Sequence, residues 1–104
     1  MRMILKELIE RLTKEPPEKR LRVGFSNPHS YRGIYADVAF EPTGGVTVAG
    51  MLQQARAAVG TVYRGWKGGD FPMNEYTDVH LAEVGCCGEE LGVRLLDYML
   101  KDTM

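Results

Sequence analysis

Long apolar runs, an excess of either charge and cysteine are what this chain has least of. No apolar stretch approaches the length of a membrane-spanning helix, and the amino-terminal residues alternate charged with apolar side chains in place of an unbroken signal-type core. Those absences argue against a helical membrane protein and lead to the expectation of a cytoplasmic one. Thirteen basic residues stand against fourteen acidic ones. No overall field then draws the chain to a nucleic acid polymer or an anionic membrane, and an anionic ligand has to be held by a local cluster. The two cysteines, Cys86 and Cys87, are adjacent, a spacing that strains an intramolecular disulfide and supplies too few thiolates for structural zinc. They read as reduced thiols in a turn. Catalytic signatures are also missing. Lys67 is not followed by a hydroxyl at the start of a helix, so Gly65, Gly68 and Gly69 form no P-loop, and there is no nucleophile elbow, carboxylate dyad motif or second histidine cluster. No metal and no cofactor is expected.

With 104 residues and 44% hydrophobic content the chain is expected to form a single domain over residues 1–104, with modest stability from burial alone. Met3 to Thr13 has apolar residues at helical spacing, ended by Pro16-Pro17, and Leu21 to Phe25 alternates as a short strand before a turn at Asn27-Pro28. Ile34 to Phe40 alternates with period two. Thr47 is placed to cap a second helix whose apolar face is Val48, Met51, Leu52, Ala55 and Val59, with Gly60 at its end. Thr61 to Trp66 reads as extended, Lys67 to Pro72 as a loop, and Thr77 to Val84 as a strand with Asp78 and His80 on a solvated face. Glu89 to Lys101 reads as a closing helix with a stripe of Leu91, Leu95, Tyr98 and Met99. The predicted class is α+β: a small antiparallel sheet covered by helices on one face, with a homodimer or higher homo-oligomer protecting the rest.

What the chain does have is one tripeptide twice, Tyr31-Arg32-Gly33 and Tyr63-Arg64-Gly65, the second leading into Trp66-Lys67-Gly68-Gly69. Each copy sets a π face and a guanidinium beside a residue without a side chain, which suits an aromatic ring tethered to phosphates. The same letters equally suit two strand ends whose tyrosines pack inward. Asn27, His29 and Ser30 crowd polar groups into the segment Ser26 to Gly33, either to face a ligand or to pin two strands together. Trp66, the only tryptophan, either stacks on a base beside Arg64 and Lys67 or anchors the core. Asp37, Asp78, His80 and Glu83 are the residues from which an acid, a base or a metal ligand would be drawn, at spacings that favour a solvated strand face.

The run Asn27-Pro28-His29-Ser30-Tyr31-Arg32-Gly33, with Tyr35, Asp37, Ala39-Phe40-Glu41, Gly65-Trp66-Lys67-Gly68-Gly69-Asp70-Phe71 and Thr77-Asp78-Val79, resembles a group of small phage and prophage proteins. These are similar in turn to viral anti-defence sponges of the Thoeris anti-defence type. The resemblance implies a non-catalytic oligomer in the infected bacterial cell that sequesters a nucleotide-derived immune signal, a cyclic ADP-ribose type or a cyclic oligonucleotide. It implies stacking by Tyr31 and Trp66 and phosphate contacts by Arg32, Arg64 and Lys67. Asn27, His29, Ser30 and Asp78 complete the candidate ligand-binding set. The alternatives are an enzyme that hydrolyses such a nucleotide and an interaction module that inhibits a host effector.

Overall fold

The structure, a computed structural model, describes residues 3–65, 67–82 and 88–103. Their order is α1 (Leu5–Thr13), β1 (Arg20–Leu21), β2 (Gly24–Ser30), β3 (Val38–Thr43), β4 (Val46–Thr47), α2 (Val48–Ala58), β5 (Val62–Arg64), β6 (Asp70–Pro72), β7 (Val79–Leu81), β8 (Glu89–Glu90) and α3 (Val93–Lys101). This is a small α+β arrangement. Its main sheet has the order β2-β3-β7-β8, flanked by the two-stranded pairs β1-β4 and β5-β6. The expected sheet was antiparallel, but β3 and β7 run parallel, so the four-stranded sheet is mixed. The parallel pairing follows from the long connection through α2 and the β5-β6 hairpin, since no tight turn can join parallel neighbours.

The helices start where backbone donors find acceptors. Thr47 caps α2 by accepting from the Gly50 amide at 3.1 Å, while the Val48 and Ala49 amides donate to the carbonyls of Lys19 and Pro17, each at 2.9 Å. At α1 the Leu5 and Lys6 amides donate to the carbonyls of Thr77 and Glu75, and the Glu7 carboxylate accepts from the Ile4 amide. Gly60 follows α2 with φ +84°, the left-handed conformation that ends a helix cheaply only at glycine. Leu5, Leu8 and Leu12 of α1, Val48, Met51 and Ala55 of α2, and Leu96, Met99 and Leu100 of α3 close on Phe25, Val38, Phe40 and Val79 of the sheet. An ion pair between Arg11 and Asp97 ties α1 to α3. Burial of these side chains, about 1.5–3 kcal/mol each for the larger ones, is the main force holding helices to sheet. Among the described residues no helix is long and apolar enough to cross a membrane.

Several boundaries differ from the sequence expectation. Residues Ile34 to Asp37 form a turn, closed by the Asp37 amide on the Ile34 carbonyl at 2.9 Å, so the strand begins at Val38 and Ile34 is exposed. Asn27-Pro28 does not end a strand. It lies inside β2 as a bulge, where the register shifts between Ser26 and His29 and Asn27 takes φ +51°. Part of the Lys67 to Pro72 loop is β6. Glu89 and Glu90 pair with Leu81 and His80 as an edge strand and do not open α3, which starts at Val93 and leaves Tyr98 exposed. Both sheet edges discourage pairing with another chain: β2 by Pro28 and the bulge, β8 by its shortness and two exposed glutamates. The expected turn over Gly85, Cys86 and Cys87, and the ends of the expected strands at Trp66 and at Glu83 and Val84, lie outside the described residues.

Candidate functional site

Alternation along the strands decides which side chains leave the helical core. Val38, Phe40 and Val79 face the helices, so Ala39 and His80 face the other way. Register then aligns His29, Ala39, His80 and Glu90 in one row across all four strands. Both histidines of the chain thus lie on the face opposite the helices. That face was expected to be solvated, yet His80 is only 4% exposed. The cover is the chain's own segment after β2: the Tyr31 ring stacks on the imidazole of His80, with centroids 3.8 Å apart and planes 8° from parallel, and it packs with Ala39 and Ala82.

Hydrogen bonds lock this cover. The Tyr31 amide donates to the Asp37 carbonyl at 2.8 Å, and the Ser30 hydroxyl donates to the Tyr35 carbonyl at 2.6 Å. The Tyr31 hydroxyl donates to the Gly88 carbonyl at 3.2 Å and accepts from the Gly88 amide at 3.3 Å. Asp37 and His80, both buried, meet at 2.9 Å between Oδ2 and Nε2. A carboxylate only accepts, so Nε2 is the donor in this contact. The buried Nδ1 of His80 has no hydrogen-bond partner among the described residues. The nitrogens of His29 lie 3.1 Å from the carbonyls of Ser30 (Nδ1) and Ala82 (Nε2).

The second copy of the tripeptide sits on the β5-β6 hairpin. Tyr63 lies opposite Phe71, and Arg64 opposite Asp70. Residues directly opposite share a face, and Tyr63 and Phe71 pack toward the core while Arg64 and Asp70 are exposed. Burial pushes the Tyr63 phenol above its ordinary pKa, with the Thr61 hydrogen bond acting in the opposite direction. At the hairpin tip the Gly65 amide donates to the Gly69 carbonyl at 3.0 Å, and Gly68 and Gly69 take φ +99° and +86°. A Cβ on Gly65 would lie 2.7 Å from the Phe71 ring. The glycines therefore serve a tight turn that folds against Phe71. The Phe71 ring in turn meets Tyr35, with centroids 5.4 Å apart and planes at 65°.

The two tripeptide segments consequently border one another, but not as two stacking corners. Tyr31 and Tyr63 both turn inward, the alternative that the letters left open, whereas Arg32, Arg64 and Lys67 are exposed. In β5, strand geometry explains the separation, because Tyr63 and the Arg64 after it project to opposite sides. Asn27 sits on the bulge and donates to the Glu41 carboxylate; His29 and Ser30 bond backbone carbonyls. Asp78 precedes β7 at the position matching Asp37 before β3, half-buried, its carbonyl accepting from the Val38 amide. Trp66 and Glu83 lie outside the described residues. Sequence reasoning missed the pairing of Asp37 with His80 and the contact of Tyr35 with Phe71, since no short-range pattern encodes either.

Two hollows border neither tripeptide segment. One, of about 840 Å³, is bordered by Glu89, Glu90 and the start of α3; the other, of about 350 Å³, lies between α1 and α2 at Ile9, Arg56 and Val59. Among the described residues no three His, Cys, Asp or Glu side chains come together to hold a metal ion. Compared with protein-family models, curated proteins and solved structures, the chain has no match.

Proposed function

We propose that this protein binds an anionic, nucleotide-derived signal and holds it without breaking a bond, the role that its resemblance to phage anti-defence sponges implies. The observation that carries the reading is the contact of Tyr35 with Phe71, which joins the Arg32 segment to the hairpin carrying Arg64 and Lys67. Exposed cations on two adjoining, backbone-locked segments suit charge-assisted contacts to phosphate oxygens without a large reorganisation cost. All three cations are exposed in a single chain, so a homo-oligomer that encloses the ligand between subunits belongs to the same proposal. Its contacts would use faces and loops, because the sheet edges are blocked by Pro28 and the paired glutamates.

A second reading is an enzyme that hydrolyses such a nucleotide, favoured by the buried Asp37–His80 pair, whose Nδ1 has no hydrogen-bond partner among the described residues. Asp37 would orient the imidazole and Nδ1 would accept the proton. Against it stands the Tyr31 ring lying over His80. The two readings separate on recovery of the ligand. Protein incubated with cyclic ADP-ribose isomers or cyclic dinucleotides, freed of excess and denatured, releases intact ligand if it is a sponge and a processed product if it turns the ligand over.

A further inference from the structure

Stacking on a planar base needs an aromatic ring with an uncovered face, and the sequence offers Tyr31 and Trp66 for that role. Tyr31 is unsuited: it is 8% exposed, its ring lies on His80 and its hydroxyl is committed to Gly88. Tyr63 faces the core. Tyr35 differs from both. It is half-buried, and among the described residues its ring meets that of Phe71 edge-to-face. Whichever ring supplies the edge, such a contact leaves at least one face of Tyr35 uncovered by Phe71.

The position of Tyr35 is also fixed. Its carbonyl accepts from the Ser30 hydroxyl, and its turn is closed by the Asp37 amide on Ile34 and by the Tyr31 amide on Asp37. Phe71 is held from the other side, where the hairpin tip folds against its ring so closely that Gly65 has no room for a Cβ. Exposed Arg32 is three residues away along the chain, and the hairpin that carries Phe71 also carries exposed Arg64 and Lys67. We infer that Tyr35, seated on Phe71, is the stacking platform for the base of the nucleotide whose phosphates the three cations attract. This inference rests on the function proposed above. It moves the aromatic role from Tyr31, which is buried, to a half-buried residue whose position is fixed by its turn.

The test is calorimetry of wild type, Tyr35→Leu and Tyr35→Phe with cyclic ADP-ribose isomers and cyclic dinucleotides as probes. Leucine keeps bulk against Phe71 but has no π face, so it should weaken the probe that binds wild type by roughly tenfold or more. Phenylalanine should stay within about twofold of wild type. Unweakened binding by the leucine variant overturns the platform and leaves the binding function standing, whereas flat titrations of wild type overturn both. If the leucine variant does not fold, NMR of wild type with labelled tyrosine rings decides, the Tyr35 signal being assigned by its loss in Tyr35→Phe. An upfield ring-current shift at Tyr35 on ligand addition supports the platform. No shift there, or a shift at Tyr31 instead, overturns it.

Discussion

His80 donates from Nε2 to the Asp37 carboxylate at 2.9 Å, and this bond ties the start of β3 to β7 on the sheet face that the helices do not cover. With Tyr31 stacked on the imidazole, the pair fixes the whole segment from Tyr31 to Asp37. His80→Ala removes both the stacked ring and the donor and leaves a buried acceptor without its partner, so it should destabilise the fold by roughly 3 kcal/mol. Asp37→Asn retains a carbonyl acceptor and should cost about 1 kcal/mol. Denaturant midpoints at unchanged slope check both; a His80→Ala midpoint equal to wild type would show that the pair contributes nothing.

Tyr31 and Gly88 make a second, separable test. Tyr31→Phe keeps the stack on His80 but removes both hydroxyl bonds to Gly88, an expected loss of about 1 kcal/mol. Gly88→Ala is far more disruptive, because its Cβ would fall 2.0 Å from the Leu81 carbonyl oxygen and 2.5 Å from the Ala82 Cβ. Backbone must move to admit it, at roughly 3 kcal/mol or more. Thermal unfolding should rank the two variants in that order, and the reverse ranking would contradict this packing.

The Tyr63 phenol is held above its ordinary pKa by burial, with Thr61 as the smaller opposing influence. An acid whose folded pKa is raised keeps its proton longer in the native state than in the unfolded one. Its contribution is therefore complete below the unfolded tyrosine value, near pH 10, and is lost as pH rises through the folded value. Stability measured by denaturant titration between pH 9 and 11 should fall more steeply for wild type than for Tyr63→Phe. Identical slopes would mean that Tyr63 is as solvated folded as unfolded.

Legibility in the sequence followed the range of the interactions. The α2 helix was readable because its start, face and stop are local: the Thr47 hydroxyl, the spacing of Val48, Met51 and Ala55, and Gly60 with positive φ. The closing helix was readable in existence but not in extent. Glu89 and Glu90 suit a helix start by charge, yet they pair with Leu81 and His80, partners that local periodicity does not see. His80 looked solvated because period-two alternation assigns one wet face, and only the fold-back of Tyr31 covers it there. In the candidate site, the exposed cations were legible as residue types. Which aromatic ring accompanies them was not, because it depends on Tyr35 meeting Phe71 from a distant hairpin.

The measurement that bears most directly on the central claim is calorimetric titration of cyclic ADP-ribose isomers and cyclic di- and trinucleotides into wild type, Arg32→Ala and Arg64→Ala. The account predicts saturable binding by wild type to at least one of these ligands, weakened by roughly 2 kcal/mol or more in each arginine variant while the far-ultraviolet spectrum stays native. Flat titrations of wild type against every ligand, or folded arginine variants that bind as wild type does, would contradict it.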